Sequence, residues 1–333
     1  MTSIKPRLKT ADYVKGVLQG DRIMLGQAIT LVESNLLTDQ QLAANIIKKI
    51  IDHTGRSIRI GITGVPGVGK STFIESFGLR VISHGKKLAV LTIDPSSKIT
   101  KGSILGDKTR MESLSKNPLA FIRPSAAGDT QGGVAHKTRE ALLLCEAAGY
   151  DVIIIETVGV GQSEVEVKSM VDFFLLLMLA GAGDELQGIK KGIIEMADAI
   201  VITKADGDNI HPAVEAQAAY QQALHLLPIS PSRWQPKVLT CSAVTGSGLE
   251  TIWEMIELYI EQTTASGFFL QNRQQQNVSW FNDNFEQLIK ADIEQHLALK
   301  KSHLENKVAQ QQLSPQAAAQ ELLEAYYHSM KKF

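Results

Sequence analysis

The chain has 333 residues, 44% of them apolar, and a formal net charge of −1 at neutral pH, which suits one sizeable α/β core with helical additions. The balanced charge argues against nucleic-acid and membrane-surface partners, and Cys145 and Cys241 lack the spacing of a disulfide or metal pair. With a polar amino terminus that contains no signal-peptide core, we expect a cytoplasmic protein.

The first 55 residues are predicted to be helical. Apolar residues recur at three-to-four spacing, for example at Leu25 and Ile29 and again at Leu42, Ile46 and Ile50. We expect this segment to be an amino-terminal helical cap. The predicted domains are therefore residues 1–55 as a helical extension, 56–264 as a nucleotide-binding domain and 265–333 as a carboxyl-terminal helical arm.

A glycine-rich loop follows the first predicted strand, residues 58–62, and precedes a predicted helix. Such a loop can direct successive backbone N–H groups at phosphates, assisted by the positive end of the helix. In this pattern Lys70 reaches the β- and γ-phosphates and Ser71 gives its hydroxyl to Mg²⁺. The predicted phosphate-binding residues are Gly64, Val65, Pro66, Gly67, Val68, Gly69, Lys70, Ser71 and Thr72.

Apolar runs alternate with helical segments from residue 57 to about 263. The predicted strands are residues 58–62, 88–93, 119–122, 152–156, 173–179, 199–203 and 237–241. Several of these runs show no polar alternation, which favours strands that are covered on both faces. The sequence predicts an α/β fold of the P-loop NTPase class, with a mostly parallel sheet wrapped by helices.

An acidic residue, Glu156, ends the fourth predicted strand, where a Mg²⁺ partner is expected. Gly159 follows closely and could place its N–H against the γ-phosphate. The next residue, Val160, stands where many GTPases have a glutamine that orients water, and valine cannot form that hydrogen bond. We expect slow intrinsic hydrolysis and stimulation by a partner.

The segment Thr203-Lys204-Ala205-Asp206 is a variant of the guanine-reading Asn-Lys-x-Asp loop. The Asp206 carboxylate can accept hydrogen bonds from the N1–H and 2-amino groups of guanine, neither of which adenine presents. Lys204 could cover the base, and Ser242 and Ala243 could offer backbone N–H groups to guanine O6. Thr203 removes one amide from the loop, so a modest loss of affinity is expected.

Two further helical stretches, about 278–309 and 315–331, follow a predicted polar break at 266–267 and 271–277. Ser314 and Pro315 are a plausible cap and first residue for the second stretch. The sequence leaves two arrangements open: an arm that embraces a second subunit, or a hairpin that folds back on its own domain.

Six motifs, in one order along the chain, together resemble the MeaB/ArgK family of methylmalonyl-CoA mutase-associated GTPases. They begin at Gly64, Asp94, Ser103, Gly132, Glu156 and Lys204, and the match runs from about Arg22 to about Glu257. The resemblance implies a homodimeric chaperone that binds and hydrolyses GTP, with GTP/GDP and Mg²⁺ as ligands. Its partner would be the adenosylcobalamin-dependent methylmalonyl-CoA mutase, whose cofactor loading it would gate and which it would protect from inactivation.

Carried over residue by residue, the resemblance places Asp94, Asp107 and Glu156 around Mg²⁺ beside Ser71. It also makes Lys190 part of a partner-sensing switch, so the implied catalytic set is Lys70, Asp94, Asp107, Glu156 and Lys190. Three alternatives remain: a kinase that passes the γ-phosphoryl of GTP or ATP to a transport protein, a metal-delivery GTPase, and a nucleotide-regulated binding module with negligible catalysis.

Overall fold

The computed structural model divides into two compact units, residues 1–273 and residues 274–333. The residues it describes are 7–93, 111–124, 131–157, 163–181 and 191–330. No helix among them is long and apolar enough to cross a membrane. The three domains expected from the sequence stay a prediction.

Seven parallel strands form one sheet in the first unit, in the order β3-β2-β4-β1-β5-β6-β7. The strands are β1 (Ile58–Gly64), β2 (Leu88–Ile93), β3 (Ala120–Pro124), β4 (Val152–Thr157), β5 (Phe173–Leu179), β6 (Ala199–Thr203) and β7 (Lys237–Thr240). The predicted parallel α/β fold is confirmed. Strand β5 and the first four residues of β4 and β6 are unbroken apolar runs, as expected where both faces of the sheet are covered.

Helices cover the sheet, and further helices precede and follow the strands along the chain. They are α1 (Thr10–Leu18), α2 (Arg22–Glu33), α3 (Leu37–Ile50), α4 (Lys70–Ser83), α5 (Glu112–Lys116), α6 (Gln131–Ala147), α7 (Ser163–Lys168), α8 (Lys191–Met196), α9 (Ile210–Leu224), α10 (Leu249–Ala265), α11 (Phe268–Ala309) and α12 (Pro315–Met330). The first three pack on one another and on α6, and so form the predicted amino-terminal helices.

The core lies on both faces of the sheet. On one face, α4 and α10 bury large side chains that include Phe73, Phe77 and Trp253. On the other, α9 packs against β6 and β7 through residues such as Tyr220. Because all seven strands are parallel, their carboxyl ends meet at one edge, which is where such folds bind ligands.

Paired charges close the amino end of the sheet. Arg273 donates to both oxygens of Asp172 at 2.7 Å and also to the backbone carbonyls of Gly55 and Ser57. Arg59 donates to both oxygens of Glu146 at 2.9 Å. All four charged side chains are at least nine-tenths buried. The Arg273 bonds fix the start of β1 and the residue before β5 to α11.

The predicted polar break at 271–277 is wrong, because α11 begins at Phe268 and continues through those residues. Only residues 266–267 interrupt the helices, with Gly267 in a left-handed conformation at φ +78°. Glutamine is a good helix former, so a glutamine-rich stretch does not by itself end a helix.

The second unit is helical. Its α11 portion departs from helical dihedral angles at Leu297, and Leu304 of α11 and Ala318 of α12 are both buried. Lys300 and Glu321 form an ion pair at 3.3 Å between these two helices. The predicted cap of α12 is confirmed, since the backbone N–H of Ala317 donates to the Ser314 hydroxyl at 3.2 Å.

Candidate functional site

The glycine-rich loop connects β1 to α4 at the centre of the sheet. At Gly64 a Cβ atom would lie 2.6 Å from the Leu177 carbonyl oxygen, so the strand can approach β5 this closely only with glycine. Gly69 has φ +90° and precedes α4, whose first turn no side chain of the described residues caps. The first N–H groups of α4 therefore suit an anion.

Lys70 is the first residue of α4 and folds back over its own loop. Its ammonium donates to the Gly64 carbonyl at 2.8 Å and to the Val65 carbonyl at 3.4 Å. Burial lowers the pKa of Lys70, while the charges of Glu156 and Glu164 act in the opposite direction. A bound phosphate would replace two neutral carbonyl oxygens with charged ones, which are stronger partners for an ammonium.

Three oxygen-bearing side chains lie at neighbouring positions near Lys70, at the ends of β2 and β4 and in the first turn of α4. The Ser71 hydroxyl donates to Glu156 Oε1 at 3.4 Å, and the Glu156 carboxylate is buried. Thr92 is the register neighbour of Glu156, and its hydroxyl is buried without a hydrogen-bond partner among the described residues. Mg²⁺ prefers oxygen ligands and keeps several waters, so this set fits that ion.

The base-recognition loop is tied to the phosphate loop by side chains. The Thr203 hydroxyl donates to the Val68 carbonyl at 2.8 Å, and the Lys204 ammonium donates to the Gly67 carbonyl at 3.0 Å. Thr203 thus replaces the expected amide with a hydroxyl that contacts the phosphate loop directly. The aliphatic stem of Lys204 lies over the same loop. In its predicted role, this stem would cover the guanine base.

Lys204 adopts a left-handed conformation at φ +58°, which is uncommon for a residue with a side chain. The Asn209 amide donates to the Lys204 carbonyl at 2.7 Å and holds this turn. Asp206 accepts a short hydrogen bond from the Ser242 hydroxyl, which orients its carboxylate. Ser76 of α4 donates to the Ala243 carbonyl at 2.8 Å and fixes that loop.

One expected contact is corrected by the structure. The backbone N–H of Ser242 donates to the Ser247 carbonyl at 3.0 Å and is therefore not directed at a base. The tight turn after β7 requires this bond, together with the one from Gly246 N–H to the Ser242 carbonyl at 2.9 Å. Ser242 acts through its hydroxyl on Asp206, and the guanine O6 contact stays a prediction for Ala243.

The fold brings most of the predicted site residues to one edge of the sheet. The phosphate loop, Glu156, the base-recognition loop and the turn after β7 all follow carboxyl ends of neighbouring strands. Asp94, Asp107, Gly159 and Lys190 lie outside the described residues. Three further residues of this region, Asn209, Ser76 and Thr92, were not predicted, because no sequence motif marks them.

The profile of the family described as methylmalonyl-CoA mutase-associated GTPase MeaB matches residues 25–300. The chain belongs to the MeaB family. It is 50% identical over 277 residues to the GTPase ArgK of Escherichia coli, covering 83% of this chain and 84% of that protein. It is 45% identical over 323 residues to the mouse methylmalonic aciduria type A homolog, mitochondrial, covering 93% and 78%.

A solved structure of a protein named as a LAO/AO transport system kinase superposes on this MeaB family member with a TM-score of 0.77. It is 40% identical and is matched over 98% of this chain and 100% of that chain. The family description and the Escherichia coli relative both name a GTPase. The fold is therefore that of a P-loop GTPase, and the family binds guanine nucleotide.

Proposed function

We propose that this protein is a GTP-hydrolysing chaperone of an adenosylcobalamin-dependent methylmalonyl-CoA mutase. It gates loading of the mutase's cofactor and protects the mutase from inactivation, in the cytoplasm. The family description names a mutase-associated GTPase, which supports the choice of partner. The observation that carries the proposal is the joining of the phosphate loop to the base-recognition loop through Thr203 and Lys204.

The chemistry proposed for the site is the transfer of the γ-phosphoryl group of GTP to water. Lys70 neutralises charge on the β- and γ-phosphates, while Asp206 selects guanine and Ser242 holds its carboxylate. Ser71 and Glu156 would hold Mg²⁺, with Asp94 and Asp107 as the further acids that the family resemblance implies, and the ion would supply further charge neutralisation on the phosphates. Val160 leaves the water unoriented, so turnover is slow until the mutase binds.

A homodimer is part of the proposal, and an apolar stripe on α11 supports it. Val278, Phe281, Phe285 and Leu288 are between 54% and 70% exposed, and the rings of Phe281 and Phe285 stack at 6.3 Å. Their spacing of three, four and three residues is that of a coiled-coil seam. The proposed occupant is the same stripe of a second copy.

Light scattering tests the dimer. We expect a dimer for the unmodified chain and a monomer for Phe281→Asp, because the charge would be buried in the seam. Leu226→Asp changes an apolar residue that is 86% exposed in the first unit and serves as the matched control. A monomeric unmodified chain, or a Phe281→Asp variant that remains a dimer, would contradict this part of the proposal.

Phosphate release from GTP, measured with and without purified mutase, tests the proposed function. We expect slow release alone, a severalfold increase with mutase, and release that is about 10²–10³-fold slower from Lys70→Ala under either condition. Recovery of the mutase on immobilised protein loaded with a non-hydrolysable GTP analogue is the second expected result. Rapid release that mutase does not change would remove the proposed stimulation.

The kinase alternative rests on the name of the protein in the similar solved structure. A kinase needs a base that positions an acceptor hydroxyl, and no motif of the sequence nominates one. The same assay separates the two activities, because a kinase moves the γ-phosphoryl group to protein or to a small molecule instead of water. Absence of turnover with mutase present would favour a passive nucleotide-regulated module.

A further inference from the structure

A buried chain of side-chain hydrogen bonds lies behind the candidate site. The Thr157 hydroxyl donates to the Thr63 hydroxyl at 2.7 Å, and the Thr63 hydroxyl donates to Glu164 Oε1 at 3.5 Å. The three residues are 0%, 2% and 1% exposed. Burying a carboxylate costs free energy. The buried position of Glu164 therefore indicates a role other than solubility.

This chain begins where the backbone pairing between two strands stops. The register of β1 with β4 ends at the pair Ile62 and Glu156, and the next two residues, Thr63 and Thr157, are joined by their hydroxyls. Thr63 precedes Gly64, which accepts from Lys70, and Thr157 follows Glu156, which accepts from Ser71. The hydrogen bond between the two hydroxyls therefore connects the end of β1, which leads into the phosphate loop, with the end of β4, which carries the predicted metal ligand Glu156.

Glu164 comes from α7 and reaches the ends of β1 and β4 through the Thr63 hydroxyl. Glu156, by contrast, is placed at the predicted metal site. Glu164 therefore holds the strand ends from a position outside that site.

We propose that Glu164 is a positioning residue, which through Thr63 and Thr157 sets the separation of Lys70 from Glu156 for a triphosphate. The inference rests on the proposed guanine-nucleotide function. Lys70 and a Glu156-held Mg²⁺ act on the β- and γ-phosphates, so a change in their separation affects GTP more than GDP. All three hydrogen-bonded side chains are buried, so the effect would pass through the strand ends.

The test measures the ratio of the Kd for GDP to the Kd for a non-hydrolysable GTP analogue, by calorimetry in Mg²⁺. Thr63→Val keeps the shape but removes the hydroxyl, and Glu164→Gln keeps the shape but removes the charge. We expect the ratio to fall about tenfold in each, in line with the loss of one buried hydrogen bond or charge contact. Thr63→Ser restores a hydroxyl and should recover most of the ratio.

Thr263→Val is the matched control. Thr263 is a buried threonine of α10, whose hydroxyl donates to the Tyr259 carbonyl at 2.7 Å, and its replacement should leave the ratio unchanged. An unchanged ratio in Thr63→Val and Glu164→Gln would overturn the inference, as would an equal loss of affinity for both nucleotides. A ratio that Thr63→Ser fails to recover would also overturn it.

This ratio requires neither turnover nor mutase. Failure of the unmodified protein to hydrolyse GTP or to bind mutase would therefore reject the proposed function while the ratio still decides the role of Glu164. Failure of the unmodified protein to bind either guanine nucleotide would reject both.

Discussion

The two ends of the parallel sheet differ in how their charged side chains are paired. At the amino end, Arg273 and Asp172 form a bidentate pair with two bonds of 2.7 Å. At the carboxyl end, the hydrogen-bond partners of Lys70 among the described residues are backbone carbonyls, and the Ser71 to Glu156 contact is 3.4 Å long. At the amino end, charge is therefore neutralised within the protein, by pairs that stabilise the fold. At the carboxyl end, the charge of Lys70 is left for a ligand to neutralise.

The largest expected effect is at the amino end. Arg273→Ala leaves the buried Asp172 carboxylate without its guanidinium and should lower the free energy of unfolding by about 3–5 kcal/mol. Denaturant titration measures this. The control is Arg80→Ala, whose partner Glu250 lies 3.4 Å away in an exposed pair, with an expected loss below about 1 kcal/mol. Equal losses of unfolding free energy in the two variants would contradict the stated difference between the two ends of the sheet.

Lys70→Ala should produce the opposite pattern at the carboxyl end. Loss of a phosphate-neutralising group typically lowers catalysis by about 10²–10³-fold. The unfolding free energy should change by less than about 1 kcal/mol, because the lost bonds are to carbonyls on a partly exposed loop. Kinetics and denaturation on one preparation measure both, and a stability loss as large as that of Arg273→Ala would contradict the contrast.

Glu140 of α6 is a largely buried carboxyl, 18% exposed, whose carboxylate lies 3.8 Å from His136 Nδ1. Burial raises its pKa to about 7, and the nearby Lys137 charge acts against that. The folded state therefore holds a proton that the unfolded state has released, and stability falls as pH rises from about 5 to 7. The expected contribution is roughly 1–3 kcal/mol.

Glu140→Gln should remove that decrease. The pKa of His136 is lowered by burial, which costs stability as pH falls, so wild type and variant must be compared at each pH. Denaturant titrations at pH 5, 6, 7 and 8 would measure the difference. A constant difference across that range would show that Glu140 does not titrate there.

The smallest expected effect concerns the tie between the two nucleotide loops. Thr203→Val removes the hydroxyl that donates to the Val68 carbonyl and should weaken GDP binding by about 1 kcal/mol, or roughly fivefold. Thr203→Ser restores a donor and should recover the affinity. Calorimetry with GDP measures both, and equal affinities for valine and serine variants would show that the hydroxyl contributes nothing.

Most of the strands could be predicted from the sequence because they are largely apolar runs, which the parallel sheet covers on both faces at its centre. The phosphate loop and Asp206 could be predicted because their chemistry depends on residues close together in sequence. Asn209 supports Lys204 from only five residues away, yet no pattern marks it, since an asparagine near a helix start is common.

Long-range contacts were beyond prediction. Arg273 binds Asp172, which is 101 residues earlier, and Ser76 binds the Ala243 carbonyl 167 residues later. Such pairs depend on the three-dimensional positions of the strands and leave no periodic signal. The wrong prediction of a polar break at 271–277 has a different cause. The polar composition of these residues is typical of a loop, but the helix continues through them.

Calorimetric comparison of GDP with ADP, for wild type and Asp206→Ala, tests the central claim that the carboxyl end of the sheet is a guanine-nucleotide site. We predict that wild type binds GDP at least about 100-fold more tightly than ADP, and that Asp206→Ala loses most of this preference. Equal affinity of wild type for the two nucleotides, or an unchanged preference in Asp206→Ala, would contradict the account.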